Sequence, residues 1–416
     1  MKILIVEPEI EGHHLVMYVR FLVRGLVKKK INFSILTSKK IKKHSTYEIL
    51  KKEKKNIEFL YLKDLRYPKK KDPFSLYLFQ ISNYFKIKKS FEYYSKKKKF
   101  DHIFLTTLDH IDKVIPFFGS PFGNYKFSSI ILNPKNHFGE YNNVGKYKIK
   151  KSFYDFSIKK ILKIKQLKDL YSNDPLFIKY IKNRYKNLSR KIQYFNEPEE
   201  LSYLKNQKIA KKELNYNSKD FIILVYGAIR NSKSVTELIN YLNNNNLNPK
   251  IKVLLCGKQT EEIKKFLKKK ISISLIKKNK LKIINKFLNL KEESNIFSAS
   301  DLIWVVYKES ALGSSGVLFL AKKAKTPIIT SKLGLPYWFN KKYMLGPAVD
   351  LNDEKKIIKT LNKLSNNKLF YNKFKINIKK RSKFNFVEMF YLKILKNLNL
   401  KKTNLKLDNL KAFREI

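Results

Sequence analysis

The chain has 416 residues, more than one ordinary core holds, so two domains of about 200 residues each are expected. Apolar residues make up 43% of it, enough for packed layers and against wholesale disorder. The formal net charge of +56 invites a nucleic-acid reading, but only eight of the cations are Arg, the residue that base and phosphate forks favour.

Asn and Ile also crowd the chain, as in a genome biased toward A and T, which makes Lys partly a default surface residue. Attraction to anionic lipid head groups or phosphorylated substrates is the functional alternative for the charge. Residues 2–6 read as a buried strand and 33–37 as the next. A helix between them carries Leu15, Val19, Leu22 and Leu26 on one face. Such alternation means a parallel sheet with helices on both faces, whose ligands lie outside the carboxyl ends of the strands. Gly12, His13 and His14 sit at such an end. They serve a site there, or they cap and pack the helix start. Adjacent residues point apart and no third ligand is in view, so no metal is expected at this pair of His.

Residues 57–62 give a third strand. In residues 73–96, Phe74, Tyr77, Leu78, Ile81, Tyr84, Phe85 and Phe91 stand among Lys. That segment is a helix with its aromatic face in the core, or an element of a membrane interface. A strand over 101–106 leads to Asp109 and His110. A carboxylate or imidazole there orients an acceptor hydroxyl or takes its proton, unless Asp109 caps a helix from His110 onward. Residues 127–132 form another strand. The basic segment 146–165, with Ile149, Phe153 and Phe156 at helical spacing, is a second candidate for touching lipid. A strand over 167–171, a helix opened by Asp174 and Pro175, and a strand over 191–195 complete this half.

Turn residues begin a linker over 196–218. Residues 221–226 open the second sheet, and the loop 227–233 leads into a helix around 236–242. A strand over 251–256 ends at Gly257 and Lys258, with Cys256 as a small buried hydrophobe. A strand over 281–285 is followed by Lys286, Phe287 and Leu288, then by a helix over 291–299. Residues 302–307 are an apolar run of strand length, and 308–313 a polar loop. Ser314, Ser315 and Gly316 open a helix with Val317, Leu320, Ala321 and Ala324 on one face. The first N–H groups of a helix and its positive dipole end suit a phosphate, and small residues let it approach. Two late helices follow Pro327 and the next strand. The last spans about 384–398, with Phe386, Phe390, Ile394 and Leu398 four apart, and 401–416 is an unassigned tail.

Strand, base loop, helix, Ala-Ser-Asp, strand, Glu loop, phosphate helix: in this order residues 221–350 resemble the donor-binding half of GT-B glycosyltransferases. The resemblance is to the large family 4 type and, through Ser-Ser-Gly-Val at 314–317, to its bacterial surface-polysaccharide subgroup. It implies an α/β GT-B fold, two Rossmann-like domains with parallel sheets facing across a cleft. The first, acceptor-side domain would span 1–205 and the nucleotide-sugar-binding domain 206–383. Residues 384–416 would be a helix crossing back to the first domain plus a tail. The resemblance assigns Glu309 to the donor sugar and Ser314, Ser315, Gly316 and Val317 to its diphosphate. It also assigns Gly227, Lys233 and Arg230 to the diphosphate, although the usual Arg place is Ala228. Gly257, Lys258, Lys286, Phe287 and Leu288 belong to the donor side, with the base near 286–288. The family's second Glu is missing, since its place falls on Val317 or, counted back from Pro327, on Leu320.

Gly12, His13, His14, Asp109 and His110 would meet the acceptor, with the two pairs of polar residues as catalytic candidates. The implied activity is metal-independent, retaining transfer of the hexosyltransferase class, with no cofactor beyond the nucleoside-diphosphate sugar. The expected acceptor is a lipid-linked glycan or a lipopolysaccharide or other surface-polysaccharide precursor. Rivals are a nucleotide-sugar epimerase or hydrolase on the same fold, or a basic membrane- or nucleic-acid-binding protein with a degenerate site. One cysteine allows no internal disulfide, the apolar run before Glu7 is too short for a signal peptide, and no run of about 18 apolar residues exists. A cytoplasmic protein, peripheral on the inner face of the membrane and without nucleic acid as a partner, is expected.

Overall fold

Strands of this chain are short, mostly buried on both faces in the middle of each sheet, and joined by helices, the pattern that favours parallel pairing. In the computed structural model, which describes residues 1–10, 14–65, 68, 72–141, 151–201, 203–382 and 385–398, they form two sheets, each in its own compact unit. One unit comprises Met1–Pro198 with Asn385–Ile416, the other Glu199–Phe384.

In the first unit the strands are β1 (Lys2–Glu7), β2 (Asn32–Ser38), β3 (Glu58–Leu62), β4 (His102–Leu105), β5 (Phe127–Ile130), β6 (Leu167–Ser172) and β7 (Ile192–Tyr194). They lie in the order β3-β2-β1-β4-β5-β6-β7, all parallel. A π-helical turn, Leu15–Val19, runs into α1 (Arg20–Lys28). Then come α2 (Ser45–Glu53), α3 (Pro73–Ser95), α4 (Ile115–Phe118), α5 (Phe138–Tyr141), α6 (Lys151–Lys163) and α7 (Pro175–Arg184). The period of two along β1 divides the core: Ile3 and Ile5 face one layer, Leu4 and Val6 the other.

The second unit repeats the plan. Its helices in chain order are α8 (Gln207–Glu213), α9 (Val235–Leu242), α10 (Glu261–Leu267), α11 (Lys270–Lys277), α12 (Leu290–Ala299), α13 (Gly316–Ala324), α14 (Gly334–Tyr343), α15 (Glu354–Asn366) and α16 (Lys368–Arg381). Its strands are β8 (Phe221–Tyr226), β9 (Ile251–Cys256), β10 (Leu281–Ile284), β11 (Leu302–Val305), β12 (Ile328–Ser331) and β13 (Ala348–Val349), in the order β10-β9-β8-β11-β12-β13. In each sheet the strand order reverses beside the first strand, between β1 and β4 and between β8 and β11. That reversal opens a crevice at the carboxyl ends, where such sheets take their ligands.

The last helix, α17 (Phe386–Asn397), packs on the first unit. Val387, Phe390, Tyr391, Ile394 and Leu395 join the core of α1, and a Cβ on Gly25 would lie 2.5 Å from the Tyr391 ring. The approach is possible because Gly25 has no side chain.

On α3, Phe79, Tyr84, Ile87 and Phe91 are buried, while Phe74, Tyr77, Leu78 and Phe85 are exposed. No helix starts at His110: residues 109–114 are turn, and α4 begins at Ile115. Asp109 is therefore not a helix cap. Its two carboxylate oxygens instead accept the Leu132 and Asn133 N–H groups, both at 2.8 Å, and so fasten the loop after β4 to the chain leaving β5. Residues 146–150 of the basic segment and the tail 401–416 lie outside the described residues. Among the described residues no helix is long and apolar enough to cross a membrane.

Candidate active site

At the reversal point of the second sheet, the loop after β8 and the loop after β11 come together. Gly227 has φ +90, and a Cβ there would lie 3.3 Å from Lys233 Nζ and 3.9 Å from Val317 Cγ2. The Lys233 ammonium donates to the Tyr226 carbonyl at 2.5 Å and lies 5.9 Å from the centre of the Tyr307 ring. The Tyr307 hydroxyl is 2.9 Å from Ser315 Oγ. Two contacts lock the loops in register: Trp304 Nε1 donates to the Lys233 carbonyl at 3.0 Å, and the Lys308 N–H to the Ser232 carbonyl at 2.9 Å. Gly227, Lys233, Ser315, Gly316 and Val317, expected from the sequence to act together, are thus neighbours.

Burial, reinforced by the Arg230 charge, pulls the Lys233 ammonium down to about 7. Ser315 is the N-cap residue of α13, yet its side chain makes no capping bond, being engaged with Tyr307. One residue missed by sequence reasoning also stands here. Glu199, buried, has Oε1 2.9 Å from where a Cβ on Gly316 would be. Only its place in a turn rich in acids marked it in the sequence.

The rest of the expected donor set is more exposed. Arg230 and Lys258 are exposed, as is Glu309, which sits one residue beyond the Lys308 anchor. The Phe287 ring is 75% exposed, with Lys258 Nζ 5.5 Å from its centre, so one face is available for stacking. Lys286 pairs with Glu292 at 2.5 Å, and Leu288 is half-buried just before the Asn289 cap of α12. Gly257 has φ +130, and a Cβ there would stand 1.9 Å from the Gly227 carbonyl oxygen. Glycine at 257 is therefore what lets the two loops touch.

At the reversal point of the first sheet the chemistry is different. Glu7 at the end of β1 is buried, and its carboxylate accepts from Thr106 Oγ1 at 2.6 Å and from the Glu9 N–H at 2.9 Å. Glu9 Oε2 lies 3.0 Å from His110 Nε2 and 3.6 Å from His14 Nδ1. Burial pushes Glu7 up to about 7, against the Thr106 bond and the His110 charge. Burial acts to lower His110, but the Glu9 bond and the carboxylates of Glu9, Glu7 and Asp109 prevail and raise it. Asp109 is raised by burial and by Asp112. His14 and His110 are thus brought together, with ring centres 6.3 Å apart, while Asp109 is occupied by backbone. Gly12 and His13 lie outside the described residues. Glu7 and Glu9 are the participants that the sequence did not single out.

Residues 206–381 match the family model described as "Glycosyl transferases group 1". No curated protein sequence matches the chain. Among solved structures the chain is similar to sucrose-phosphate synthase from Thermosynechococcus elongatus, at 13% identity and a TM-score of 0.68, covering 97% of this chain and 100% of that one. It is similar to Anabaena Alr3699/HepE in complex with UDP and glucose, at 11% identity and a TM-score of 0.66, covering 96% and 99%. It is similar also to WaaG, a glycosyltransferase involved in lipopolysaccharide biosynthesis, at 12% identity and a TM-score of 0.60, covering 93% and 97%. Such identities show the fold, which is that of GT-B glycosyltransferases, and the match to the group 1 model lies wholly within the second unit.

Proposed function

We propose that the protein moves a hexose from a nucleoside-diphosphate sugar to a hydroxyl of a lipid-linked glycan or of a lipopolysaccharide or other surface-polysaccharide precursor. The observation that carries this reading is the convergence of Lys233, Gly227, Tyr307, Ser315 and Val317 within the residues that match the group 1 glycosyl transferase model. A diphosphate seated there meets the half-buried Lys233 and the positive end of α13. Arg230 supplies a second cation nearby. Fixed cations stabilise the charge that grows on the leaving diphosphate, so the diphosphate needs no metal of its own. Glu309 holds sugar hydroxyls, and the Phe287 ring stacks on the base. The UDP found with Anabaena HepE supports uridine as the base to test first. Retention of anomeric configuration belongs to the same reading through the resemblance of residues 221–350 to family 4. The acceptor is received on the first unit by His14 and His110, with His13 and Asp109 beside them in the sequence. Its proton leaves through the departing phosphate or through one of these imidazoles.

A lipid-linked acceptor is supported by the surface of the first unit. Phe85 and Phe118 stand with ring centres 5.6 Å apart and Phe117 and Phe156 5.9 Å apart, all four exposed. Lys160 Nζ lies 5.6 Å from the centre of the Phe156 ring. Rings at head-group depth beside ammonium groups suit an anionic bilayer surface, and a net charge of +56 adds long-range attraction. A peripheral contact with the cytoplasmic face of the membrane follows from this reading.

The test is thermal stabilisation by UDP, GDP, CDP and ADP, followed by transfer from the matching labelled sugar donor to lipid extracts. One nucleotide should raise the melting temperature, and label should enter the lipid fraction. Release of free sugar or of an epimer, without acceptor labelling, would overturn the transferase reading. Glu309→Ala should abolish transfer while the fold persists.

A further inference from the structure

The carboxylate–imidazole cluster of the first unit has a composition that acceptor binding alone does not require. Among the described residues, Glu7, His14 and His110 each offer one ligand atom, and these atoms all lie within 4.8 Å of one another. They come from three separate places: the end of β1, the residue before the π-helical turn, and the loop after β4. Two of the three places adjoin the carboxyl ends of the paired strands β1 and β4. Glu9 brings a second carboxylate, and both imidazoles direct a ring nitrogen at its Oε2, at 3.0 and 3.6 Å. Two nitrogens and the Glu7 carboxylate therefore share one small volume, with the Glu9 carboxylate beside the two imidazoles.

We infer that this volume is a binding site for one divalent transition-type cation of the zinc class, held by His14, His110 and Glu7 with Glu9 as the fourth donor. Donor chemistry argues for that class. Two imidazoles with carboxylates suit Zn(II), Co(II) or Ni(II), whereas Mg(II) takes oxygen ligands and keeps much of its water. Outer contacts argue for a built site. The Thr106 hydroxyl and the Glu9 N–H orient the Glu7 carboxylate, as groups behind metal ligands do. Side chains are 10% exposed at His110, 15% at Glu9 and 17% at His14, so the place is sheltered but reachable. Ligands about 2.1 Å from a tetrahedral ion stand about 3.4 Å apart. Drawing the present atoms in to that spacing takes shifts of about an ångström, within the reach of side-chain torsions. The cation displaces the His–Glu9 contacts and replaces them with bonds to itself.

The inference rests on the first unit alone and stands apart from the donor cradle; with both imidazoles on the cation, the acceptor proton leaves through the departing phosphate. Its failure would leave nucleotide binding intact, and loss of nucleotide binding would leave it untouched.

The experiment uses the full chain, freed of metal by a chelator and titrated with Co(II). Visible absorption should rise to a plateau at one equivalent, disappear on addition of Zn(II), and resist a large excess of Mg(II). His14→Gln and His110→Gln should each weaken Co(II) binding at least about tenfold. Circular dichroism and metal-free melting temperature establish that these variants fold. Glu7→Gln, which keeps the buried shape, is the second probe and should weaken binding likewise. Absence of a one-equivalent plateau would overturn the proposal, as would binding that survives in the folded His14→Gln/His110→Gln double variant. Displacement of Co(II) by Mg(II) at equal concentration would overturn the assigned cation class.

Discussion

The two units share one strand order up to the last edge strand, yet the reversal points of their sheets hold opposite chemistry. Beside β8 and β11 stands a half-buried Lys with glycines and a helix start, the groups that the proposed reading gives to a diphosphate. Beside β1 and β4 stand two imidazoles and two carboxylates, a place suited to proton exchange or to a cation. The same topology thus positions a crevice without choosing its ligand. The choice is made by a few side chains at strand ends, and most of the +56 charge has no part in it.

The comparison breaks most decisively at Lys233. Lys233→Met should cost about 100- to 1000-fold in kcat/KM, the range of a lost oxyanion donor, while the melting temperature stays or rises. Removing Lys233 would then make the second reversal point as indifferent to phosphate as the first.

Next comes pH. Because Lys233 is held down to about 7 from an ordinary 10.5, the donor-free site loses its charge above neutrality. A bound diphosphate restores it, so binding should take up a proton and weaken by up to tenfold per pH unit above about 7. Calorimetry in two buffers of different ionisation enthalpy reads this directly. The sign for stability is the reverse. Between about 7 and 10.5 the unfolded chain holds more protons at this residue than the native one, so its contribution to stability rises with pH across that window.

Phe287→Ala should raise the KM for the donor about tenfold, as loss of one base–aromatic stack does. An unchanged KM would move the base elsewhere. The smallest effect is expected at Glu199. Its carboxylate lies at the head of α13, where a diphosphate would be repelled. Glu199→Gln should tighten nucleotide binding about two- to fivefold, the size of one charge at a helix end. Weaker binding would mean instead that Glu199 positions the loop.

Much of the second unit was legible because its information is local. The run of apolar residues in β11, the loop 308–313 and the small residues at 314–316 mark strand, loop and helix start within fifteen residues. Lys233 was legible for the same reason, standing a fixed step beyond Gly227. At the first reversal point His14 and His110 were expected on the acceptor side through the resemblance, whereas Glu7 and Glu9 were not marked. His14 and His110 are separated by 96 positions, and nothing in either neighbourhood names the other. The pairing of β1 with β4 brings them together, and pairing is a property of the sheet. Neither expectation for Asp109 foresaw its backbone contacts, because the N–H groups that it accepts belong to the chain leaving β5, more than twenty residues on. The long aromatic helix α3 left its two readings open because its aromatic residues fall on both a buried and an exposed side.

Gly25 and Tyr391 have a consequence for how the protein is made. The first unit's core includes side chains of α17, and those residues leave the ribosome only after the whole of Glu199–Phe384 has been synthesised. During that interval the surface at Gly25 lacks its Tyr391 cover, and Glu199–Phe384, a compact unit by itself, can finish first. Maturation of this protein should therefore run in an order unlike that of its genes' codons: the middle of the message closes before its beginning does.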